Sequence, residues 1–376
     1  MAKPVPALSL KHRTPDTHWR PFARGALALF VSALAVLALL LSRQAGAAVI
    51  LQYHHISDST PASTSTSPAR FALHLALLEQ QGFRVVPLQA LVDAHARGEA
   101  LPDRTAAITF DDGYRSIAET ALPLLQARNW PFTVFINSDP HDEGNPLYMS
   151  WDQLRELTRH GGTVANHSAS HPYLLERQGD ESDSAWRERI QGEINRAQQR
   201  IGDEIGQAPR LFAHPYGEYD SAVLEILSAL GFAGFGQQSG PLAPYSDARA
   251  LPRFPFGGSY GDRRDFLTKI NSLPMPLSAK GMQLASERGE LQADGVISPG
   301  ARPVLTLHFQ HIPEGLHCFI SGQGAVEPQA ASGALNVQAP QPLGPGRSRY
   351  NCTAPAGDGR FYWLSQVWIA RQPPAH

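Results

Sequence analysis

The sequence predicts an α/β protein built on a parallel sheet, open or closed into a barrel, followed by a small all-β module. Two observations predict it. Seven short, β-rich apolar runs alternate with helix-patterned stretches from Val49 onward, and such β-then-α alternation makes successive strands parallel, because each helix carries the chain back across the sheet. After about Pro274 the alternation stops, and strand patterns punctuated by Gly and Pro follow one another with no convincing helix.

At the start of the chain, Lys3, Lys11, Arg13, Arg20 and Arg24 precede the uncharged run GALALFVSALAVLALLL, from Gly25 to Leu41, and a small-residue pattern follows at Ala45, Gly46 and Ala47. Residues 1–47 read as an export signal cleaved after Ala47; the run is long for a signal, and the alternative is an anchor in the inner membrane. Either way the remainder is expected in the periplasm or outside the cell. The strand candidates are then VILQYHHI, FRVVPL, AAITFDD, FTVFIN, GGTVANH, RLFAHPYG and FAGFGQQ. Helix punctuation between them is clear: Ser67 then Pro68 opens one helix, Ser116 with Glu119 and Ser150 with Gln153 have capping-box spacing, and Gly231 closes a helix that starts near Asp220. The stretch STPASTSTSP at 59–68 reads as a rim loop.

These signals define a domain over 48–274, a connector over 275–302 and a β module over 303–376. In the module VLTLHFQHI, GLHCFISG, SRYNCTA and RFYWLSQVWIA are the strands. Phe361, Tyr362, Trp363 and Trp368 could stack on sugar rings, but at strand period at least one face of this segment should be core, and core is the favoured reading. The two cysteines, Cys318 and Cys352, both lie in this module. In an oxidising compartment they are expected to pair, which would steady a domain of about 75 residues; the alternative is two free thiols. With 32 basic and 34 acidic residues there is no basic footprint for nucleic acid. Nothing here sets an oligomeric state.

Three motifs fall at the C-terminal ends of predicted strands, the face where loops converge on a site in parallel α/β folds. In TFDDGY, Asp111 and Asp112 are adjacent acids, which must be solvated, neutralised by a cation or used in chemistry. NHSASHP places His167 and His171 four residues apart, on one side of a helical turn or tight loop. In AHPYGEY, Pro215 and Gly217 shape a turn whose backbone N–H groups could face an oxyanion. Two imidazoles and one carboxylate are an open ligand set for a divalent transition metal. One Asp would then bind the metal while the other faces a metal-activated water. Taken singly, an Asp pair is more often a solvated turn, and an H-x-x-x-H pair more often structural; their joint placement at strand ends is the stronger signal.

TFDDG, H-S-x-x-H-P and P-Y-G, in this order, resemble the polysaccharide deacetylase family with NodB homology, carbohydrate esterase family 4, over about residues 49–270. The resemblance implies a distorted (β/α) barrel that removes acetyl groups from sugar polymers with a divalent metal, most often Zn2+. It implies Asp111 as general base, Asp112, His167 and His171 as metal ligands, Ser168 as a brace of the histidine loop, and the Tyr216 backbone N–H as an oxyanion donor. The sequence departs from the family pattern at Ala213, where many members carry an Arg that orients the base, and it lacks the later tryptophan motif and the L-x-H motif of the general acid. His308 in TLH is a textual match only, since strand alternation puts it on a polar face of the β module. YHHI at 53–56 offers His54 instead. Similar openings occur in exported members acting on poly-N-acetylglucosamine, and His54 is expected to line the site.

The expected function is therefore metal-dependent removal of N-acetyl groups from a polysaccharide with N-acetylglucosamine units, with Tyr114, Pro215 and Trp151 as candidate substrate contacts. The alternatives are O-acetyl ester hydrolysis at the same site, or a catalytically impaired sugar-binding scaffold. The intact Asp111, Asp112, His167 and His171 set argues against the scaffold.

Overall fold

The computed structural model describes residue 1 and residues 46–371. The apolar run at 25–41, and with it the export or anchor reading, lies outside the described residues. Among the described residues no helix is long and apolar enough to cross a membrane.

Eight parallel strands form the first half: β1 (Ala48–Tyr53), β2 (Arg84–Val85), β3 (Thr105–Phe110), β4 (Phe132–Ile136), β5 (Gly162–Asn166), β6 (Leu211–Ala213), β7 (Ala233–Phe235) and β8 (Phe254–Pro255). Their order is β8-β1-β3-β4-β5-β6-β7, with β2 beside the first half of β3. All seven expected runs contain a strand. The eighth, inside LPRFPF, is absent from the sequence reading because it is short and its prolines argue against a strand. It closes the barrel, as Leu251 donates to Gly234 O and accepts from Gly236 N (2.8 and 2.9 Å), and Arg253 N donates to Gln238 O (3.0 Å).

β1 and β3 are buried on both faces, as strands are when helices cover the sheet. The faces alternate with period two. Val49, Leu51, Tyr53, Ile108 and Phe110 pack outward with Phe71, Leu75 and Leu78 of α1 (Pro68–Gln80). Ala48, Ile50 and Ala107 join Phe135, Ala165, Ala213 and Phe235 in a second cluster that fills the barrel, small residues alternating with large ones. That alternation matters for the site: Asp111, two residues past Thr109, continues the inward row, and so does Gln52 on β1.

The helices are capped as expected at three places. Ser67 accepts from Arg70 N at the start of α1, Ser150 and Gln153 form a complete capping box, and Asp220 caps the helix Ser221–Ala229. Ser116 with Glu119 does not: Ser116 Oγ accepts from Ile56 N at 3.1 Å, and the chain there winds as a wide, five-residue turn, Ile117–Ala121. Its hydroxyl is used to fix the segment after His54 instead of a helix end.

The second half corrects the expected boundaries. Residues 275–302 are not a connector, because they contribute strands Leu277–Ala285, Leu291–Gln292 and Val296–Ile297 to two packed antiparallel-rich sheets. The sequence missed them because Leu277–Ala285 is polar at most positions and interrupted by Gly281 at φ 62°. The long strand Arg360–Ala370 is buried on both sides. Leu364 and Trp368 face Tyr350 and Cys352 inside the sandwich, while Val367 and Ile369 pack with Trp186, Ile190 and Leu227 of the barrel's helices, and Trp363 meets Phe254 edge to face at 5.4 Å. Of these aromatic residues Trp368 is core, whereas Phe361, Tyr362 and Trp363 are half-buried. Cys318 and Cys352 stand directly opposite each other on neighbouring strands, with Cα atoms 4.0 Å apart, and are joined as a disulfide in the sandwich core.

Candidate active site

The loops after β1, β3, β5 and the turn after β6 meet at the C-terminal mouth of the barrel. Asp111 ends the inward row of β3 and is fully buried. Its two oxygens are held by Arg253, whose Nη1 donates to Oδ1 (2.6 Å) and Nη2 to Oδ2 (2.8 Å), and Gln52 Nε2 donates to Oδ2 (2.6 Å). Arg253 is itself fully buried and fixed by Gly236 O (2.9 Å). Burial pushes the Asp111 carboxyl up, but the Arg253 and His167 charges and the Arg253 hydrogen bonds outweigh it and hold the group below the usual carboxylate range. A forked pair of this kind fixes the orientation of the carboxylate as well as its charge.

Arg253 changes one expectation. The sequence has Ala213 where an orienting Arg would stand, yet the barrel supplies a guanidinium to the same carboxylate from the closing segment, 142 positions along the chain. A lone Arg flanked by apolar residues and prolines in LPRFPF was the available signal, as was Gln52, the polar member of VILQY.

Asp112 points the other way. Its backbone turns at φ 70°, and Gly113 follows at φ 78°, with no room for a side chain at Gly113 because a Cβ there would meet His141 at 2.8 Å. Asp112 Oδ1 stands 3.3 Å from His167 Nε2 and 3.5 Å from His171 Nε2. Burial raises this carboxyl, and the close approach of His167 together with the charges of His54, His167 and His171 pulls it far below the usual range. His54 follows β1, so its charge is felt at Asp111, Asp112 and His171. His55, its neighbour, stacks on Tyr114 with centroids 3.5 Å apart, and the Asp112 charge reaches it too.

The histidine loop is held by its own polar residues. Asn166 Oδ1 accepts from Ser168 N (2.9 Å), Ser168 Oγ accepts from His171 N (3.1 Å), and Glu193 Oε2 accepts from Ser170 N (2.9 Å). Ser168 and His171 have φ 69° and 57°, and Tyr216 has φ 58°. With Asp112 these make four of the seven non-glycine residues at positive φ among the described residues, so backbone strain is concentrated where the motifs meet. His167 Nδ1 lies 2.7 Å from Ala213 O, which fixes the tautomer with the proton on Nδ1 and leaves the Nε2 lone pair facing Asp112. Burial lowers the His167 imidazole, but Asp112 and Asp111 raise it overall; His171, losing solvent and facing His167, is pushed down to about 4.

The three donors fit a cation. Their ligand atoms all lie within 4.8 Å of one another, and atoms about 2.0–2.1 Å from a tetrahedral metal stand roughly 3.3 Å apart, close to the Asp112–imidazole separations. Asp112 Oδ1 is buried with no hydrogen-bond partner, which is costly for a carboxylate unless a cation completes it.

The remaining candidates divide. Tyr114 and Tyr148 pack together beside Asp112, their centroids 5.0 Å apart, and the Asp112 charge raises both phenols after burial does. Pro215 is buried in the turn and offers shape rather than contact surface. Trp151, a candidate substrate contact, is engaged by neighbours: its indole donates to Asp142 (2.8 Å), lies under Arg200 and packs on His141. His308 sits in the sandwich, 3.3 Å from Gln283. Two further residues escaped the sequence reading. His214 is fully buried against Arg249 O (2.8 Å) and pushed down to about 4 by burial. Arg347, from the sandwich, reaches Gln237 Oε1 (3.1 Å) and Glu218 (3.6 Å) next to the P-Y-G turn.

Residues 98–235 match the family model described as polysaccharide deacetylase. The poly-beta-1,6-N-acetyl-D-glucosamine N-deacetylase of Escherichia coli (strain K12) is 27% identical over 241 residues, which cover 54% of this chain and 36% of that relative. The chain thus matches about a third of that relative's length. Among solved structures, IcaB from Ammonifex degensii is 26% identical with a TM-score of 0.51, over 60% of this chain and 95% of its own. Streptococcus pyogenes deacetylase PplD shares the fold at 19% identity and a TM-score of 0.54, over 60% of this chain and 98% of its own. Asp111, Asp112, His167, His171 and Tyr216 all fall within the segment that matches the polysaccharide deacetylase model.

Proposed function

We propose that the chain is a metal-dependent N-deacetylase of a polysaccharide containing N-acetylglucosamine, exported from the cytoplasm. The observation that carries this reading is the division of labour between adjacent acids: Asp111 is locked to Arg253 and Gln52, while Asp112 faces two imidazole Nε2 atoms. A buried scaffold acid needs only one of these arrangements. The poly-beta-1,6-N-acetyl-D-glucosamine N-deacetylase named above favours the amide over the ester and the sugar over other acetylated polymers.

In this reading Asp112, His167 and His171 hold the cation, with Zn2+ the choice best suited to two imidazoles and a carboxylate. A bound divalent cation supplies Lewis acidity and brings the pKa of a water to about 7. Asp111, ionised and held in one orientation, takes the proton from the attacking water. The oxyanion of the tetrahedral species faces the backbone N–H of Tyr216 in the P-Y-G turn. His54, at the mouth, is the candidate that returns a proton to the departing sugar amine. Hydrolysis then yields acetate and a free amine.

The test is acetate release from β-linked N-acetylglucosamine oligomers and from acetylxylan, with Zn2+ and after chelation. The oligomers are expected to be turned over with Zn2+ and to fall to background when the metal is stripped. Faster release from acetylxylan would support the ester alternative instead.

A further inference from the structure

Aromatic side chains flank the histidine–aspartate cluster through two separate loops, and the two rings of one pair have no part in the chemistry described so far. Tyr216, in the P-Y-G turn, meets His171 edge to face with centroids 4.5 Å apart. Tyr173, two residues after His171, lies flat on Tyr216 at 3.9 Å and 6°. One face of the Tyr173 ring is thereby covered, yet the residue remains 44% exposed. The other exposed large apolar residues described on the sandwich, such as Phe319 and Leu291, do not touch the site.

We infer that Tyr173, backed by Tyr216, is a platform on which a pyranose ring of the polymer stacks beside the sugar whose acetamide is cleaved. This rests on the polysaccharide reading. The apolar face of a sugar ring packs favourably on an aromatic face, and a tyrosine with two side-chain torsions loses little entropy when it is used this way. Here even that loss is prepaid, because Tyr216 is held by its turn and by His171, and Tyr173 is held by Tyr216. The platform lies two ring layers out from His171, which suits a neighbouring sugar unit rather than the reacting one. It would therefore favour chains over single sugars.

A purely structural role predicts something else. If Tyr173 only shields the strained Tyr216 turn, its removal should weaken all substrates alike and disturb the cation site. The experiment is calorimetric binding of a β-linked N-acetylglucosamine monomer and pentamer, and of Zn2+, to the full wild-type chain and to Tyr173→Ala, Tyr173→Phe and Tyr173→Trp. The inference expects Tyr173→Ala to weaken pentamer binding about 10-fold, the equivalent of one stacking contact. Monomer and Zn2+ binding should be unchanged, and the Phe and Trp variants should bind the pentamer as wild type does. Unchanged pentamer affinity in Tyr173→Ala, equal losses on monomer and pentamer, or no pentamer binding by wild type overturns it. Pentamer binding that depends on Tyr173 in a chain that releases no acetate supports the platform and refutes the deacetylase reading.

Discussion

Arg253→Met is expected to lower stability by about 3–5 kcal/mol, because it leaves the fully buried Asp111 without its cation. The pair has no solvent to fall back on. Gln52 still donates one hydrogen bond to Asp111, but a neutral amide cannot replace a forked guanidinium. The pH dependence distinguishes this cause from simple loss of packing. In the wild type the Asp111 carboxyl is held below its ordinary value, so its contribution is present above about pH 4 and is lost as pH falls through the folded value. In the variant burial is opposed only by the Gln52 hydrogen bond and the neighbouring histidines, so the folded value is expected to rise above the unfolded one, and stability is lost as pH rises through it. The deficit of Arg253→Met relative to wild type should therefore shrink on acidification, and Asp111→Asn in the same chain should recover much of it. Urea titrations at several pH values measure this; a deficit independent of pH and untouched by the second substitution would refute the charge argument. Acetate release should drop with it by about 100-fold or more, since a protonated Asp111 cannot act as a base.

Asp111→Asn separates the roles of the two acids. The amide is nearly isosteric and Asp112 is untouched, so Zn2+ should still bind one per chain while acetate release falls by about 10^2- to 10^4-fold. Parallel metal analysis and turnover measurements check it. Turnover within a few-fold of wild type would remove Asp111 from the chemistry, and loss of the metal would mean that both acids serve the cation.

Much of this was legible in the sequence because it is written locally. Strand period and helix caps depend on neighbours in the chain, so the seven alternating strands, the caps at Ser67 and Ser150 and the helix start near Asp220 could be read directly. The motif residues were legible for a related reason: positive-φ turns at Asp112, Ser168, His171 and Tyr216 sit inside compact strings such as TFDDGY and NHSASHP. What escaped depends on closure. Arg253 meets Asp111 only because a two-residue strand with a proline completes the barrel, and no local pattern announces that pairing. The strand Leu277–Ala285 was missed because it lies mostly at the surface and lacks an alternating apolar face. Trp151 likewise depends on contacts between segments, since Asp142, Arg200 and His141, which hold its indole, come from two other places in the chain.

The whole account stands on one cation gathered by Asp112, His167 and His171. Metal content per chain, measured after Zn2+ loading and exhaustive dialysis for wild type, Asp112→Ala, His167→Ala and His171→Ala, addresses it directly. One equivalent in the wild type and loss of most of it in each variant is the expected result; a wild type that retains no metal, or variants that retain a full equivalent, would contradict it.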